Sequence, residues 1–287
     1  MEASLYGPDG FYEREGAGAG RRRDFLTAPE VGPLFAAVVA QAIEACFEEL
    51  GRPAGFTVYD VGAGPGALGR GLALAECPHP YVAVDRSAAQ RERHLGLRSL
   101  AELPEGPLVG VVVANELLDN LPFDLLLHGE PFDVDEPWPD VGLVPDQTAA
   151  WAFVDDVIDR LTGRLLVFDY CSTTESMATR PWSEWLRTYR GHARGSHPLA
   201  DPGGQDITAE VAVDQLPTPD EDRSQSEWLQ WWGIEDLVQE GKRIWAERAH
   251  VGDLEAIRAR SRVGEADALC DPAGMGAFRV LEWMVVQ

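Results

Sequence analysis

Residues 58–66 read VYDVGAGPG, and this stretch decides the fold. A short β-branched and aromatic segment ends in Asp60, and a loop with Gly62, Gly64 and Gly66 leads into a helical pattern. Glycines let the backbone bend sharply and approach a ligand, because they have no Cβ. The helix presents free backbone N–H groups to that ligand. Strand, glycine loop and helix in this order predict a nucleotide-cofactor site.

The glycine loop fits two classes of cofactor. Gly62, Gly64 and Ala67 match the dinucleotide pattern G-x-G-x-x-[G/A], with Asp85 about 20 residues further on. Asp60 and the three glycines also match the D-x-G-x-G-x-G loop of S-adenosylmethionine methyltransferases. The acidic residue and the third glycine favour this methyl donor, since carboxylates near strand ends suit its ribose diol, ammonium and sulfonium. The sequence therefore predicts S-adenosylmethionine as the cofactor and leaves a dehydrogenase that binds NAD as the alternative.

The composition bounds the class of protein. The chain has 287 residues, of which 45% are hydrophobic and 25% charged, enough for one large α/β domain or one domain with an extension. The formal net charge of -24 repels phosphate backbones and argues against a nucleic acid partner. Basic partners or substrates would be favoured, although a strongly acidic surface also serves solubility.

Cysteine and histidine are too scattered for a metal centre. The four cysteines form no C-x-x-C pair, and the six histidines form no cluster, so neither zinc nor a disulfide framework is predicted. No apolar run approaches 18 residues, and the N-terminus lacks the order of a signal peptide. We therefore expect a cytoplasmic protein without a membrane partner.

Strands and helices alternate along the chain and predict a doubly wound, mostly parallel sheet of the class I methyltransferase, Rossmann-like type. The last predicted strand, FRVLEWMVV, is expected to run antiparallel to the other strands of this sheet, as is common in methyltransferases. The predicted strands are Thr57–Val61, Tyr81–Asp85, a weak one within 91–98, Pro107–Asn115 and Arg164–Tyr170; the predicted helices are 30–50, Ala67–Ala75, Thr148–Leu161 and 235–260. Residues 1–55 are expected to form a loop and helical extension that roofs the site, and 56–287 the methyltransferase domain, with an insert at about 171–225.

A second polar cluster follows the fourth predicted strand. Residues 114–122 read ANELLDNLP, and ligands of doubly wound sheets bind beyond the carboxyl ends of the strands. Asn115, Glu116 and Asp119 should therefore face the same crevice as the glycine loop. One such residue could simply cap the next helix, but three exceed what capping needs.

Several motifs in collinear order resemble the MidA family, which includes the mitochondrial complex I assembly arginine methyltransferase. The most specific are DF-T-APE, NE--D-LP and YRGH, and the resemblance covers nearly the whole chain. The matching stretches are YGPDGFY (6–12), RDFLTAPEVGPLF (23–35), the glycine loop, VDRS (84–87), ANELLDNLP (114–122), LLVFDY (165–170), RTYRGH (187–192), DPGGQDITAEV (201–211) and FRVL (278–281).

The resemblance implies a role for each matching residue in a methyltransferase site. The glycines and Asp60 would lie against the donor, and Asp85 would accept hydrogen bonds from its ribose. Ser99 and Leu100 would border the adenine, and Asn115 and Glu116 would lie near the sulfonium. Four residues of the N-terminal segment would help to roof the site: Asp24, Thr27, Pro29 and Glu30. Part of a distinctive loop would be formed by Tyr189, Arg190, Gly191 and His192.

The chain departs from the family in places that concern the substrate. Arg23 stands where the family usually has glycine, an arginine of the glycine loop is absent, and the arm between His128 and Gln147 is shorter than in typical members. Substrate recognition is thus the least transferable feature.

The predicted activity is methyl transfer from S-adenosylmethionine to a protein arginine. Glu116 and Asp119 are candidates for a carboxylate clamp on the guanidinium, because bidentate pairing has the right geometry. His192 is a candidate general base, or a loop residue that bonds only its neighbours. A small-molecule methyltransferase and a non-catalytic assembly factor that binds the donor remain as alternatives, and the sequence predicts no oligomeric state.

Overall fold

The structure, a computed structural model, describes residues 1–13, 26–190 and 193–286. Its strands are β1 Thr57–Val61, β2 Tyr81–Val84, β3 Arg98–Leu100, β4 Leu108–Asn115, β5 Asp124–Leu127, β6 Glu130–Pro131, β7 Leu143–Asp146, β8 Leu161–Asp169, β9 Cys171–Ser172, β10 Leu186–Arg190, β11 Ala193–Arg194, β12 Asp206–Ala209, β13 Val211–Ala212, β14 Glu221–Ser224 and β15 Arg279–Val285. Its helices are α1 Glu2–Tyr6, α2 Ala28–Val31, α3 Pro33–Glu49, α4 Ala67–Leu74, α5 Ala88–Arg91, α6 Thr148–Arg160, α7 Thr174–Thr179, α8 Trp182–Trp185, α9 Gln225–Trp231, α10 Ile234–Arg248 and α11 Leu254–Leu269.

The central sheet has seven strands in the order β14-β15-β8-β4-β1-β2-β3. The five strands from β8 to β3 are mutually parallel, and β15 runs antiparallel to β8 and to β14. The apolar runs of β4 and β8 are buried almost throughout, as expected for parallel strands covered on both faces. The predicted doubly wound sheet with a reversed last strand is confirmed.

Two hydrophobic clusters cover the two faces of this sheet. One joins α3, α4 and the helices near the C-terminus to the side chains of β1 and β4, with Phe35 packed edge-on against Phe168 at 5.2 Å between ring centroids. The other joins α6 to the opposite side chains of β4, β8 and β15. Along β4, alternate residues belong to different clusters, because successive side chains of a strand point to opposite faces.

A third hydrophobic cluster lies beside the sheet. It unites Leu5 and Phe11 with residues of the sheet β6-β5-β7 and of the sheet β11-β10-β12. The N-terminal segment, the shortened arm and the predicted insert therefore share one core. None of the helices within the described ranges combines the length and the apolar character that crossing a bilayer requires.

The observed elements differ from the predicted ones in four places. The predicted helix 30–50 is interrupted at Gly32, which separates α2 from α3. The third strand is Arg98–Leu100, at the very end of the range 91–98, and the helical stretch 235–260 is two helices, because the chain turns at Gly252 and Asp253 caps α11. Glu221–Ser224, within the predicted insert, forms the edge strand β14 of the central sheet. The predicted division at residue 55 stays a prediction.

Two glycines lie side by side on the central strands, where an added side chain would meet the backbone of the neighbouring strand. Thr57, Gly110 and Gly163 are direct neighbours across β1, β4 and β8. A Cβ on Gly110 would lie 2.1 Å from the backbone oxygen of Thr57, and one on Gly163 would lie 1.8 Å from the oxygen of Gly110. Both glycines also have positive φ angles, 135° and 148°, which other residues rarely adopt.

We expect Gly110→Ala to destabilise the protein by about 3 kcal/mol or more, because the methyl group meets backbone that cannot move without parting the strands. Gly264→Ala is the matched control. Gly264 lies in α11, where an added Cβ meets nothing within 4 Å, so this change should be neutral or stabilising. Chemical denaturation of both variants measures the difference, and equal stabilities would refute the packing argument.

Candidate active site

The carboxyl ends of β1, β2 and β4 meet at one edge of the sheet and enclose a cavity of about 410 Å³, within the range of small-molecule sites. Its floor is the glycine loop, and its roof comes from the N-terminal segment. The lining residues are Tyr6, Tyr12, Thr27, Pro29, 60–65, Ala67, Leu68, 84–86, Gln90, 101–103, 115–117, Asn120, Leu121, Phe153, Asp156 and Arg160.

The glycine loop needs glycine at all three positions. Gly62, Gly64 and Gly66 have φ angles of 73°, 52° and 78°, in the left-handed region. A Cβ on Gly62 would lie 2.9 Å from a methyl carbon of Leu117, and one on Gly66 would lie 2.8 Å from a methyl carbon of Leu97. Gly66 is the N-cap of α4, so the loop delivers the helix N-terminus to the floor of the cavity.

Asp85 lies at the end of β2 and faces the glycine loop. One carboxylate oxygen accepts the Gly64 N–H at 2.8 Å, and the other accepts the Ser87 N–H at 2.9 Å. Two backbone donors fix the plane of the carboxylate at the cavity wall. A carboxylate held in this way can accept further hydrogen bonds from hydroxyl groups of a ligand.

Asp60 ends the first strand and is only 3% exposed. Its carboxyl accepts a hydrogen bond of 2.5 Å from the Tyr81 hydroxyl. Burial raises its pKa to about 7; the Tyr81 hydrogen bond lowers this pKa, and the nearby Asp85 charge raises it. Asp60 is therefore a cavity-lining carboxyl whose charge changes near neutral pH.

Glu116 has a strained backbone beside the donor cavity. Its φ is 51°, unusual for a residue other than glycine, and strain of this kind clusters at functional sites. The Asn115 amide donates to its carboxyl at 3.2 Å, and the Ala28 N–H also bonds to it. Burial raises the pKa of Glu116 to about 8, and the Asp169 charge adds to the rise. The side chain is thus a weak acid at a cavity wall.

Asp169, at the end of β8, organises the loop that carries Glu116. Its side chain is fully buried and accepts the backbone N–H groups of Leu118, Asp119 and Tyr170 at 2.9, 3.3 and 2.8 Å. Burial raises its pKa to about 7 against these hydrogen bonds. Burial, followed by the charges of Asp169 and Glu116, also raises the pKa of Asp119 far above its usual range.

The N-terminal segment covers the cavity with tyrosines. The rings of Tyr6 and Tyr12 stack with 5.5 Å between centroids, and the Tyr12 hydroxyl donates to the Asn120 side-chain oxygen at 2.9 Å. The Ser87 hydroxyl donates to the Tyr12 carbonyl at 2.8 Å, which ties the segment to the end of β2. Thr27 begins α2 in a capping box and also lines the cavity.

The structure brings together most of the predicted site residues. Asp60, Gly62, Gly64, Asp85, Asn115, Glu116 and Thr27 all line the cavity. Gly66, Ser99, Leu100 and Asp119 do not line it: Gly66 caps α4, Ser99 bonds to His94, Leu100 accepts the Asp85 N–H, and Asp119 is buried behind Glu116. Asp24 and His192 lie outside the described residues.

Sequence reasoning missed several lining residues. Ala101, Glu102 and Leu103, rather than Ser99 and Leu100, border the cavity after β3. Tyr6 and Tyr12 lie in a motif that carried the family resemblance, but no role was predicted for them. A tyrosine pair six residues apart gives no local signal of a roof, since the contact depends on how the segment folds back onto Asn120.

Three comparisons with known proteins bear on this site. A family model described as "putative S-adenosyl-L-methionine-dependent methyltransferase" matches residues 38–132. A crystal structure from Burkholderia thailandensis, described as a "likely methyl transferase" bound to S-adenosyl-homocysteine, is 28% identical with a TM-score of 0.76, and the match covers 98% of this chain and 85% of that one. The native structure of an uncharacterised protein of the same superfamily and organism is 27% identical, with a TM-score of 0.74 and the same coverage. No curated protein sequence matches.

These findings confirm the predicted fold and the predicted cofactor class. The chain has the fold and the cavity of an S-adenosylmethionine-dependent methyltransferase. The comparisons do not distinguish the MidA family from other families of such methyltransferases.

We expect Glu116→Gln to stabilise the folded protein at high pH. The folded pKa of Glu116, about 8, lies above its ordinary value, so its contribution to stability is full below pH 4.5 and is lost as the pH rises through 8. Glutamine never ionises. The variant should match the wild type at pH 5 and exceed it at pH 9 by roughly 2 kcal/mol, a figure discounted for partial exposure.

Denaturation at both pH values measures this difference. Glu102→Gln is the matched control, because Glu102 lies on the exposed rim of the same cavity and its charge is solvated. A Glu116→Gln variant that gains nothing between pH 5 and pH 9 would contradict the desolvation of Glu116.

Proposed function

We propose that this chain transfers a methyl group from S-adenosylmethionine to a guanidinium nitrogen of a protein arginine. The observation that carries the proposal is the buried acidic cluster beside the donor cavity. Glu116 forms its cavity face, and Asp119 and Asp169 lie behind it. A bound cation would favour the ionised forms of these carboxyls and lower their raised pKa values.

The donor half of the site is the glycine loop with Asp85. In the proposed complex, the carboxylate of Asp85 accepts the ribose hydroxyls, the loop lies against the methionine part, and Asp60 and Asn115 lie near its charged groups. The segment Ala101–Leu103 borders the adenine in place of Ser99 and Leu100. The bound S-adenosyl-homocysteine of the 28% identical structure supports this donor assignment.

The acceptor half depends on the charge state of Glu116. Without a cation, burial keeps its carboxyl largely protonated at neutral pH, since its pKa is about 8. A guanidinium at hydrogen-bond distance favours the ionised form and lowers that pKa. Binding of arginine would therefore release a proton from Glu116 and form a bidentate ion pair. The same carboxylate would orient the nitrogen towards the methyl group.

The reaction itself needs one bond exchange and one proton acceptor. The sulfonium of the bound donor supplies an electrophilic methyl group. As the new carbon–nitrogen bond forms and the carbon–sulfur bond breaks, the nitrogen loses a proton. Glu116, ionised in the complex with the guanidinium, accepts this proton and returns it to solvent.

A small-molecule acceptor is the second candidate. Glu116 lines the same 410 Å³ cavity as the donor residues, so a compact acceptor could bind within it. The short arm fits this candidate too: residues 124–146 form only the small sheet β6-β5-β7. The non-catalytic alternative predicts donor binding without transfer to any acceptor.

We expect S-adenosylmethionine and S-adenosylhomocysteine to bind in the micromolar range and NAD not to bind. Asp85→Ala should abolish binding of both, because it removes the ribose acceptor and frees the Gly64 N–H. Glu116→Gln should retain S-adenosylhomocysteine binding. Isothermal calorimetry measures all three ligands, and binding of NAD alone would overturn the cofactor assignment.

We expect methyl transfer to a peptide with a single arginine and none to its twin with lysine. Glu116→Gln should lower transfer at least about 100-fold at saturating donor, since the neutral amide neither pairs with the guanidinium nor accepts a proton. Tritiated donor with mass analysis of the peptides measures both. Unchanged transfer by Glu116→Gln would refute the clamp, and transfer only to small guanidines or amines would favour the second candidate.

A further inference from the structure

His94 is buried behind the glycine loop, outside the donor cavity. It follows α5, is 4% exposed, and bonds in two directions. Its Nε2 lies 2.7 Å from the carbonyl oxygen of Gly64, and its Nδ1 lies 2.8 Å from the Ser99 hydroxyl on β3. The ring thus bridges the loop after β1 and the strand β3, although β2 separates β1 and β3 in the sheet.

The partners of the ring fix its protonation. A carbonyl oxygen can only accept, so Nε2 carries the proton and donates to Gly64. In the neutral ring, Nδ1 then accepts from the Ser99 hydroxyl. Both nitrogens of a neutral imidazole are satisfied in this arrangement, and the side chain needs no water.

The peptide groups on either side of the Gly64 Cα are therefore held from opposite directions. The N–H donates to Asp85 at 2.8 Å, and the carbonyl accepts from His94 at 2.7 Å. Gly64 has a φ of 52°, and a glycine is otherwise free to leave that conformation. If the carbonyl were released, the φ and ψ angles of Gly64 could change together, and the N–H could turn away from Asp85, whose carboxylate would lose a donor that fixes its plane.

We propose that His94 is a positioning residue for the methyl donor: it locks the backbone conformation of Gly64 and thereby presents the Asp85 carboxylate to the ribose. Ser99 is the second member of this lock. Its hydroxyl acts through His94, so Ser99 would contribute to donor binding without lining the cavity.

Low pH should weaken the hold of His94 on the Gly64 backbone. Burial lowers the pKa of His94, the Gly64 hydrogen bond raises it, and the charges of Arg70, Arg91 and Arg93 lower it further. The locked ring is therefore neutral. Its stabilising effect is present above the ordinary pKa of about 6.5 and is lost as the pH falls, because a loosened ring takes up a proton more readily than the locked one.

The test is S-adenosylhomocysteine binding by calorimetry from pH 5.5 to pH 8.5. At pH 8, His94→Phe keeps a ring of similar size but loses both hydrogen bonds, so its affinity should fall about tenfold, and Ser99→Ala should lose about threefold. His250→Gln is the matched control, because His250 is exposed beyond α10, and it should bind as the wild type does.

The pH profile separates positioning from simple destabilisation. Asp60 also titrates in this range, with a pKa of about 7, so the difference between wild type and His94→Phe is the readout. The wild-type advantage should shrink towards pH 5.5 and be full above pH 7.5. Melting temperatures measured without ligand show whether each variant folds. If His94→Phe does not fold, the affinity of Ser99→Ala is used as the test instead.

Two outcomes would overturn the proposal. Affinity at pH 8 that is unchanged in both His94→Phe and Ser99→Ala would show that the Gly64 peptide needs no lock. A tenfold loss in His94→Phe that stays constant from pH 5.5 to pH 8.5 would show a structural role that does not depend on the neutral ring. Neither outcome touches the arginine acceptor, which the transfer assay tests separately.

Discussion

The donor site depends on a row of hydrogen bonds that attaches the glycine loop to the end of β2. The N–H groups of Gly62 and Ala63 both donate to the Val84 carbonyl, at 2.9 and 3.1 Å, and the next N–H, of Gly64, donates to Asp85 at 2.8 Å. Three successive donors can converge on one strand end only if the loop turns through positive φ angles, which is why glycines recur there. The same bonds place Asp85 against the cavity.

The side of the cavity that carries Glu116 differs from the glycine loop, because carboxyl groups cluster there. Asp119 and Asp169 are buried next to the cavity-lining Glu116, and each of the three carboxyls has a pKa raised by burial. Asp169 is compensated by three backbone N–H groups, whereas one oxygen of Asp119 has no hydrogen-bond partner among the described residues. Such a cluster costs folding energy, and this cost is the physical ground for the cationic acceptor proposed above.

The sequence predicted those strands and helices that have a clear local pattern of residues. Thr57–Val61 has its predicted bounds, and β4 and β8 are close to theirs, because short apolar runs bounded by turn residues indicate buried strands. β14 carries the polar sequence EDRS, and β3 has three residues, so neither has a periodicity to read. His94 was one of six scattered histidines, and only the folded chain shows that it reaches Gly64, 30 residues away.

The identity of the acceptor was hardest to predict, because it too depends on contacts between distant parts of the chain. The third hydrophobic cluster joins the N-terminal segment, the short arm and the insert, three pieces of chain with no local relation. Asn120 links them to the loop after β4, since its side chain bonds to Tyr12 on one side and to the Ile207 carbonyl on the other. A change in the length of the arm therefore acts on the roof through a shared core. The predicted donor residues, in contrast, lie close to the glycine loop, where a local sequence pattern could indicate them.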